Sequence, residues 1–361
     1  MSSLTFDQLK ITTMTMVIAF TNSVNLDSVY PLLPVTTLDL PSPKRTVRKF
    51  KIPHCPIPGS ILSLRYKGNV RGIPRSSTNK FFKNSITLDI STKVKNVSIK
   101  LSRGKIQMCG ASSVEQGKEG AIYLLQHIMD IQENLDLIHE HPLETKRIVD
   151  WVKTNTLGDP IDGIYQNHQK ECGVRRPVID VPGNIERQIC TFLLDQLDEC
   201  FKSKNPTGHS KLCDRLDRIV DSEKVCSGPL KISTIDKAMI NYNYDLGFMI
   251  NRQMLVTMIN REKGSPFLAR HENLIDHNVT VEYPIESLRH VKKKGKNPCC
   301  TILVYGSGLV TQSGPSEEIM RQVYDQFNDI IRQIRPYVEK VERVERSGKE
   351  VERAELVKEV K

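Results

Sequence analysis

Two stretches of this 361-residue chain follow one plan, and that repetition restricts the possible folds more than any other feature. The first reads Ser102-Arg103-Gly104-Lys105-Ile106-Gln107-Met108-Cys109-Gly110-Ala111-Ser112. The second reads Gly306-Ser307-Gly308-Leu309-Val310-Thr311-Gln312-Ser313-Gly314-Pro315-Ser316. Gly104 and Gly308 fall at a hairpin turn, where positive φ is often needed, and Gly110 and Gly314 follow the next strand at the same offset of 204 residues. An alternating strand precedes each stretch and an amphipathic helix follows it. The plan is strand, helix, strands, hairpin, strand, helix, carried out twice. It predicts an α+β fold of two pseudo-symmetric repeats, with about ten strands in one antiparallel sheet and the helices on one side.

Local patterns supply the elements. Thr12–Thr21, Ser60–Tyr66, Ser85–Ser91, Asn96–Leu101 and Lys105–Cys109 read as strands, since apolar and polar residues alternate or β-branched residues cluster. Ser113 is placed to cap a helix, with Gln116 completing a capping box and Ala121, Leu124, Leu125 and Ile128 on one face to about Gln132. Residues 135–230 differ in texture: Asn184–Phe201 and Lys211–Val220 are amphipathic helices, so this segment reads as a helical insertion between the repeats. Strands return at Ala238–Tyr244, Asn278–Tyr283, Thr301–Tyr305 and Leu309–Ser313, with a helix at Phe248–Asn260 and another from Ser316. The last carries Ile319, Val323, Phe327, Ile330 and Ile331 on one face. The domains expected are 1–134, a basic first repeat; 135–230, the insertion; 231–337, the second repeat; and 338–361, a charged tail, helical or disordered.

Charge narrows the partner. Residues 1–134 hold 18 Lys and Arg against 8 Asp and Glu, while residues 135–361 hold 34 of each, so the whole net charge of +10 lies in the first third. A basic third on a balanced chain points to a polyanion. Nucleic acid comes before membrane, because no amphipathic basic helix accompanies it. The apolar run Met16–Phe20 is too short for a signal-peptide core or a membrane span. The nine cysteines show no framework spacing and read as free thiols in a reducing, intracellular compartment.

Gly104-Lys105-Ile106 followed by Gly110-Ala111-Ser112-Ser113-Val114-Glu115-Gln116 resembles the hairpin and helix start of the TATA-box-binding protein core, whose pattern is roughly S-G-K-[MI]-V-x-T-G-A-K-x-x-x-Q. Leu303-Val304-Tyr305-Gly306-Ser307-Gly308 is similar to that family's second-repeat L-I-F-V-S-G, and Asn25-Leu26-Asp27 falls where its first strand hands over to its first helix. The resemblance covers about 1–134 and 235–336. A diverged sequence with a large insert is similar to the relatives of this family found in large DNA viruses. The resemblance implies a saddle, its curved antiparallel sheet bearing helices on the convex face. It also implies a concave face laid in the minor groove of A·T-rich DNA, with apolar wedges kinking the duplex, a mode for which this family is the standard example.

Residue by residue, the resemblance implies DNA contacts from Thr15 and Val17 on the first strand and from Gln107 and Cys109 on the first-repeat hairpin. On the second-repeat hairpin it implies Thr311 and Ser313. Tyr305 takes one wedge position; its first-repeat counterpart is Leu101, or Lys100 if the turn has one residue more. The other first-repeat wedge is Phe82 or its neighbour Phe81. Arg103 and Lys105 join the contact set at the hairpin turn. Thr15 and Met239 stand where the family has central asparagines. Implied partners are a transcription factor IIB-type protein and RNA polymerase, and the implied place is the nucleus, or a cytoplasmic viral factory if the source is viral.

Enzymatic chemistry has nothing to stand on. Walker, dinucleotide and zincin motifs are absent, no histidine sits in a triad-like context, and no carboxylate pair is set by spacing for acid–base work. Cys190, Cys200, Cys213, Cys226 and His209 lack the short gaps of a zinc site, so no metal or cofactor is expected. The reading is a DNA-binding transcription initiation factor. Its alternatives are a protein-interaction scaffold of the same fold that has lost sequence-specific DNA binding, and the substrate-recognition part of a nucleic-acid-processing assembly.

Overall fold

The alternating stretches form antiparallel strands because every second side chain is apolar and shares one buried face. The computed structural model describes residues 5–36, 52–74, 82–155, 183–201, 209–262, 264–271, 277–285 and 298–340. The basic cluster Lys44, Arg45, Arg48, Lys49 and Lys51, Phe81, and residues 341–361 of the charged tail lie outside these. The chain is α+β and divides into two compact units: a first unit drawn from residues 11–240, and a second from 1–10 and 241–361. This division puts the segment expected as an insertion in one unit with the strands before it.

The first unit contains β1 (Ile11–Phe20), α1 (Leu26–Leu32), β2 (Ile61–Tyr66), β3 (Asn69–Gly72), β4 (Ile86–Ser91), β5 (Asn96–Ser102) and β6 (Lys105–Ala111). Their sheet order is β3-β2-β4-β5-β6-β1, with each neighbouring pair antiparallel. One face carries Met16, Ile18, Val97, Ile99, Leu101, Ile106 and Met108, all buried, each contributing about 1.5–3 kcal/mol against exposure. Helix α2 (Val114–Glu140) covers that face with Ala121, Leu124, Leu125 and Ile128. Ser113 caps it by accepting from Gln116 N at 3.1 Å. The capping box is not completed, because Gln116 Oε1 accepts from Ser112 instead, at 2.8 Å from N and 2.7 Å from Oγ.

Helix α2 runs past Gln132, where the apolar pattern suggested an end. Its second half buries Leu135 and Ile138 against α3 (Pro142–Asn155), α4 (Asn184–Phe201) and α5 (His209–Val220). The apolar stripe of α4, with Ile189, Leu193 and Leu197, is buried in this cluster, continuous with the sheet core. The chain's return is tied to α2 by Gln132 Oε1, which accepts from Val225 N at 2.8 Å and Cys226 N at 3.1 Å.

Strand β7 (Ile232–Asp245) carries the boundary between the units and starts six residues before the strand read from sequence. The second unit then holds α6 (Arg252–Arg261), β8 (Leu268–Arg270), β9 (Asn278–Pro284), β10 (Cys299–Tyr305), β11 (Leu309–Gly314) and α7 (Glu317–Val338). Its order is β11-β10-β9-β8. Asn251 caps α6 in place of the start expected at Phe248, which is buried. Helix α7 is capped by Ser316 and buries Val323, Phe327 and Ile331, as its periodicity suggested, together with Met320, Tyr324 and Ile334. Phe267 is a core aromatic here, 5.2 Å from Tyr283 and 5.8 Å from Phe327 between ring centroids.

The hairpin glycines differ in their reason for being glycine. Gly308 has φ +93, and a Cβ there would lie 2.2 Å from Phe248 O. Gly104, expected to need positive φ, does not have it, and a Cβ would meet open space. The first hairpin closes by a two-residue turn, Arg103-Gly104, between the partners Ser102 and Lys105.

Candidate nucleic-acid interface

In each unit the sheet face opposite the helices carries the strand residues singled out from sequence, with the exception of Leu101. In the first unit, backbone pairing sets them in rows. Thr15 lies opposite Cys109, which lies opposite Ser98. Val17 lies opposite Gln107, and Gln107 opposite Lys100, which faces Thr87 and then Arg65. Thr15 Oγ1 donates to Cys109 Sγ at 3.6 Å, so the pair sits side by side. Lys105 is exposed at the start of β6, opposite Ala19, and Arg103 is exposed in the adjoining turn.

Pairing also decides between Lys100 and Leu101. Leu101 is opposite Ile106 and 0% exposed, so it belongs to the core and leaves the candidate face. Its assignment as a wedge fails because a two-residue turn fixes its parity to the buried side. Lys100 takes the open side, and its Nζ lies 4.0 Å from the centroid of the Phe82 ring. Phe82, just before β4, is 55% exposed. Such a cation–ring contact is worth about 0.5–1 kcal/mol at an exposed site, enough to bias the ring's position.

The second unit repeats the geometry with different chemistry. Ser313 pairs with Thr301 and Thr301 with Glu282; Leu303 pairs with both Thr311 and Thr280; Tyr305 pairs with Asn278. Thr301, Leu303, Tyr305, Thr311 and Ser313 all alternate with buried neighbours and so share the open face. The row ends at Leu268 of β8, opposite Glu282, whose Oε1 accepts from Arg270, also on β8, at 2.5 Å. Met239, on the part of β7 that belongs to the first unit, is 39% exposed.

Sequence reading passed over Ser98, Arg65, Thr301 and Leu303, which complete these rows. Strand alternation already gave Ser98 and Leu303 their parity; Arg65 needed the β2–β4 pairing. Across the open-face positions of β1, β5, β6, β10 and β11 there is no carboxylate. The adjacent Cys299 and Cys300 point to opposite sides of β10, and burial pushes the Cys300 thiol up to about 12. Among the described residues no group of three His, Cys, Asp or Glu side chains could hold a metal ion. No described helix is long and apolar enough to cross a membrane.

No family model matches this chain, and no curated protein matches it. Fourteen solved chains do. One, titled Methanococcus jannaschii TBP, is 12% identical over 90% of this chain and 98% of its own length, with a TM-score of 0.36.

Proposed function

We propose that this chain is a TATA-box-binding-protein-like transcription initiation factor, built of two repeats, that lays its open sheet faces in the minor groove of A·T-rich duplex DNA and bends it. The observation that carries this reading is the absence of carboxylates from the open faces of β1, β5, β6, β10 and β11, alongside Lys100, Lys105 and Arg103. On the adjoining strands Asp89 of β4 is buried and Glu282 of β9 is paired with Arg270. The floor of an A·T minor groove presents only acceptors and lies between two rows of phosphate, so acidic groups there would be repelled. Small groups such as Thr15, Cys109, Thr311 and Ser313 let the sheet approach it. Phe82 and Tyr305 are the wedge candidates.

The two-repeat reading is supported by a shared element order: β1, α1, further strands, hairpin, α2 against β7, α6, further strands, hairpin, α7. The proposed role is non-enzymatic, with a transcription factor IIB-type protein and RNA polymerase as partners. A protein-interaction scaffold is the second reading. The second unit favours it, since Leu303, Leu309 and Leu268 make its face more apolar and less charged.

Binding to A·T-rich and G·C-rich duplexes, followed by anisotropy across a salt series with end-to-end energy transfer, separates the two. The factor reading expects A·T preference with bending. Phe82→Ala and Tyr305→Ala should each cost about 1–3 kcal/mol of affinity and reduce the bend. Salt-steep binding with neither preference nor bend would transfer the protein to the scaffold reading.

A further inference from the structure

Three turns of the first unit meet around a cleft of about 400 Å³, whose lining includes Asn25, Asp27, Tyr66, Lys67, Lys83 and Arg103. Arg103 comes from the β5–β6 turn, Lys67 from the β2–β3 turn and Asp27 from the first turn of α1, while Lys83 precedes β4. The β2–β3 turn is built in an unusual way. Lys67 has φ 47 and Gly68 φ 87, the pair of positive values of a tight two-residue hairpin. Asn, Asp or Gly is the ordinary choice at the first of these positions, because a longer side chain is strained there. Lys67 is the one described non-glycine residue with positive φ.

The side chain that this position retains is tightly placed. Lys67 Nζ is 2.5 Å from Asp27 Oδ1 and 5.1 Å from the Tyr66 ring centroid. The hydrogen bond from Lys67 holds the Asp27 carboxyl below the usual aspartate range, so it is ionised at neutral pH. The charges of Asp27 and Lys67 therefore offset one another. Lys83 and Arg103 form no close ion pair among the described residues, although the charge of Arg103 also helps to keep Asp27 ionised. The lining thus holds three cations, Lys67, Lys83 and Arg103, against the one carboxylate of Asp27.

We infer that this cleft binds a phosphate group, with Lys83 and Arg103 as its charge partners and the Lys67–Asp27 pair shaping its wall. Arginine gives a planar fork suited to two phosphate oxygens, and lysine a mobile point charge beside it. The phosphate could be that of a nucleic-acid backbone or of a free phosphate compound. Only the first source rests on the DNA-binding reading.

The test uses the full chain and two probes. Inorganic pyrophosphate is titrated by calorimetry without nucleic acid, and duplex binding is followed across a salt series. Each is repeated for Lys83→Ala, Arg103→Ala and Lys93→Ala, the last removing an exposed cation elsewhere on the same unit. Thermal unfolding confirms that the variants fold, and Lys83→Arg should retain binding. The site predicts pyrophosphate binding that falls about tenfold for Lys83→Ala and for Arg103→Ala but not for Lys93→Ala. If the phosphate is that of the backbone, the duplex salt slope also falls by about one for each cleft cation removed, and this alone would support the site. Absence of pyrophosphate binding together with an unchanged duplex slope overturns it, as does equal weakening by Lys93→Ala. The pyrophosphate arm contains no duplex, so its failure is distinct from loss of A·T preference or bending.

Discussion

In the first unit, helix α2 approaches its sheet through glycine. A Cβ on Gly117 would lie 2.2 Å from Met16 Sδ, and one on Gly120 would lie 3.0 Å from Val97 Cγ2. In the second unit the glycine is on the strand and the large side chain on the helix: a Cβ on Gly314 would lie 2.4 Å from Met320 Sδ and 2.7 Å from Cys300 Sγ. The polar anchors are exchanged as well. Gln116, on helix α2, donates to Thr92 Oγ1 at 2.8 Å while Met108 fills the strand side. At the same 204-residue offset the strand holds Gln312, which donates to Met320 O at 2.7 Å, and the helix holds Met320. Each unit buries one glutamine and one methionine at this contact, traded between helix and strand. The summed volume and the satisfied hydrogen bond are kept, while the residue at each position is not. Position-by-position comparison therefore understates how alike the two contacts are.

The largest effects should come from filling the close approaches. Gly117→Ala and Gly314→Ala are each expected to cost about 1–3 kcal/mol in denaturant unfolding, because well-packed cores resist an added methyl. Trimming the opposing methionine, Met16→Ala or Met320→Ala, should make each double variant less damaged than the sum of its singles. Gly110 has φ +97 and open space, so Gly110→Ala should cost about 1–2 kcal/mol of backbone strain with no such coupling. Additive behaviour at Gly314 would break the comparison.

Next in size are the traded anchors. Replacing Gln116 or Gln312 by Met should cost about 1–2 kcal/mol each, read in the same unfolding experiment. Gln116 loses its bonds to Thr92, Lys95 and Ser112, and Gln312 those to Met320 O and Tyr244. No loss at either site would mean that packing alone holds these helices.

On the open faces the units differ in charge, and duplex binding should report it. Lys100→Ala is expected to lower the salt slope by about one, because one phosphate contact is lost, and to free the Phe82 ring. Leu303→Ala, in the corresponding row of the second unit, should leave the slope unchanged. Equal slopes for both variants would remove Lys100 from the interface.

The smallest effects belong to two exposed ion pairs, Asp27 with Lys67 and Asp7 with Arg321. Hydrogen bonds from these cations hold both carboxyls below the usual aspartate range. Their contribution is complete above about pH 4, the ordinary aspartate value, and is lost as pH falls through the lowered one. Asp7→Asn and Asp27→Asn should therefore lower stability slightly near neutrality, leave it unchanged in strong acid, and so flatten the acid limb. A loss at neutral pH as large as that of the glycine variants would give these pairs a structural weight that their exposure does not suggest.

Much of this molecule was legible from its residues, for definite reasons. Alternation in Asn96–Leu101 and Thr301–Tyr305 put Val97, Ile99, Ile302 and Val304 on buried faces, since a strand's period of two leaves no other sorting. Capping by Ser113 and Ser316 followed from hydroxyls placed before apolar helical periods. The extension of α2 beyond Gln132 was hidden, because its partners Ile189, Leu193 and Leu216 are distant in sequence.

By itself the sequence determined which residues alternate, where the helices after Ser113 and Ser316 begin and where the positive charge is concentrated, because these depend on neighbours within a few positions or on composition alone. Only the tertiary structure decided that Lys100 rather than Leu101 faces outward. That choice hangs on a two-residue turn, held where Val24 N donates to Arg103 O at 2.7 Å and Phe20 N to Gly104 O at 3.2 Å. Both donors come from the end of β1 and the chain just beyond it, about eighty residues earlier in the chain, a separation across which no local propensity acts.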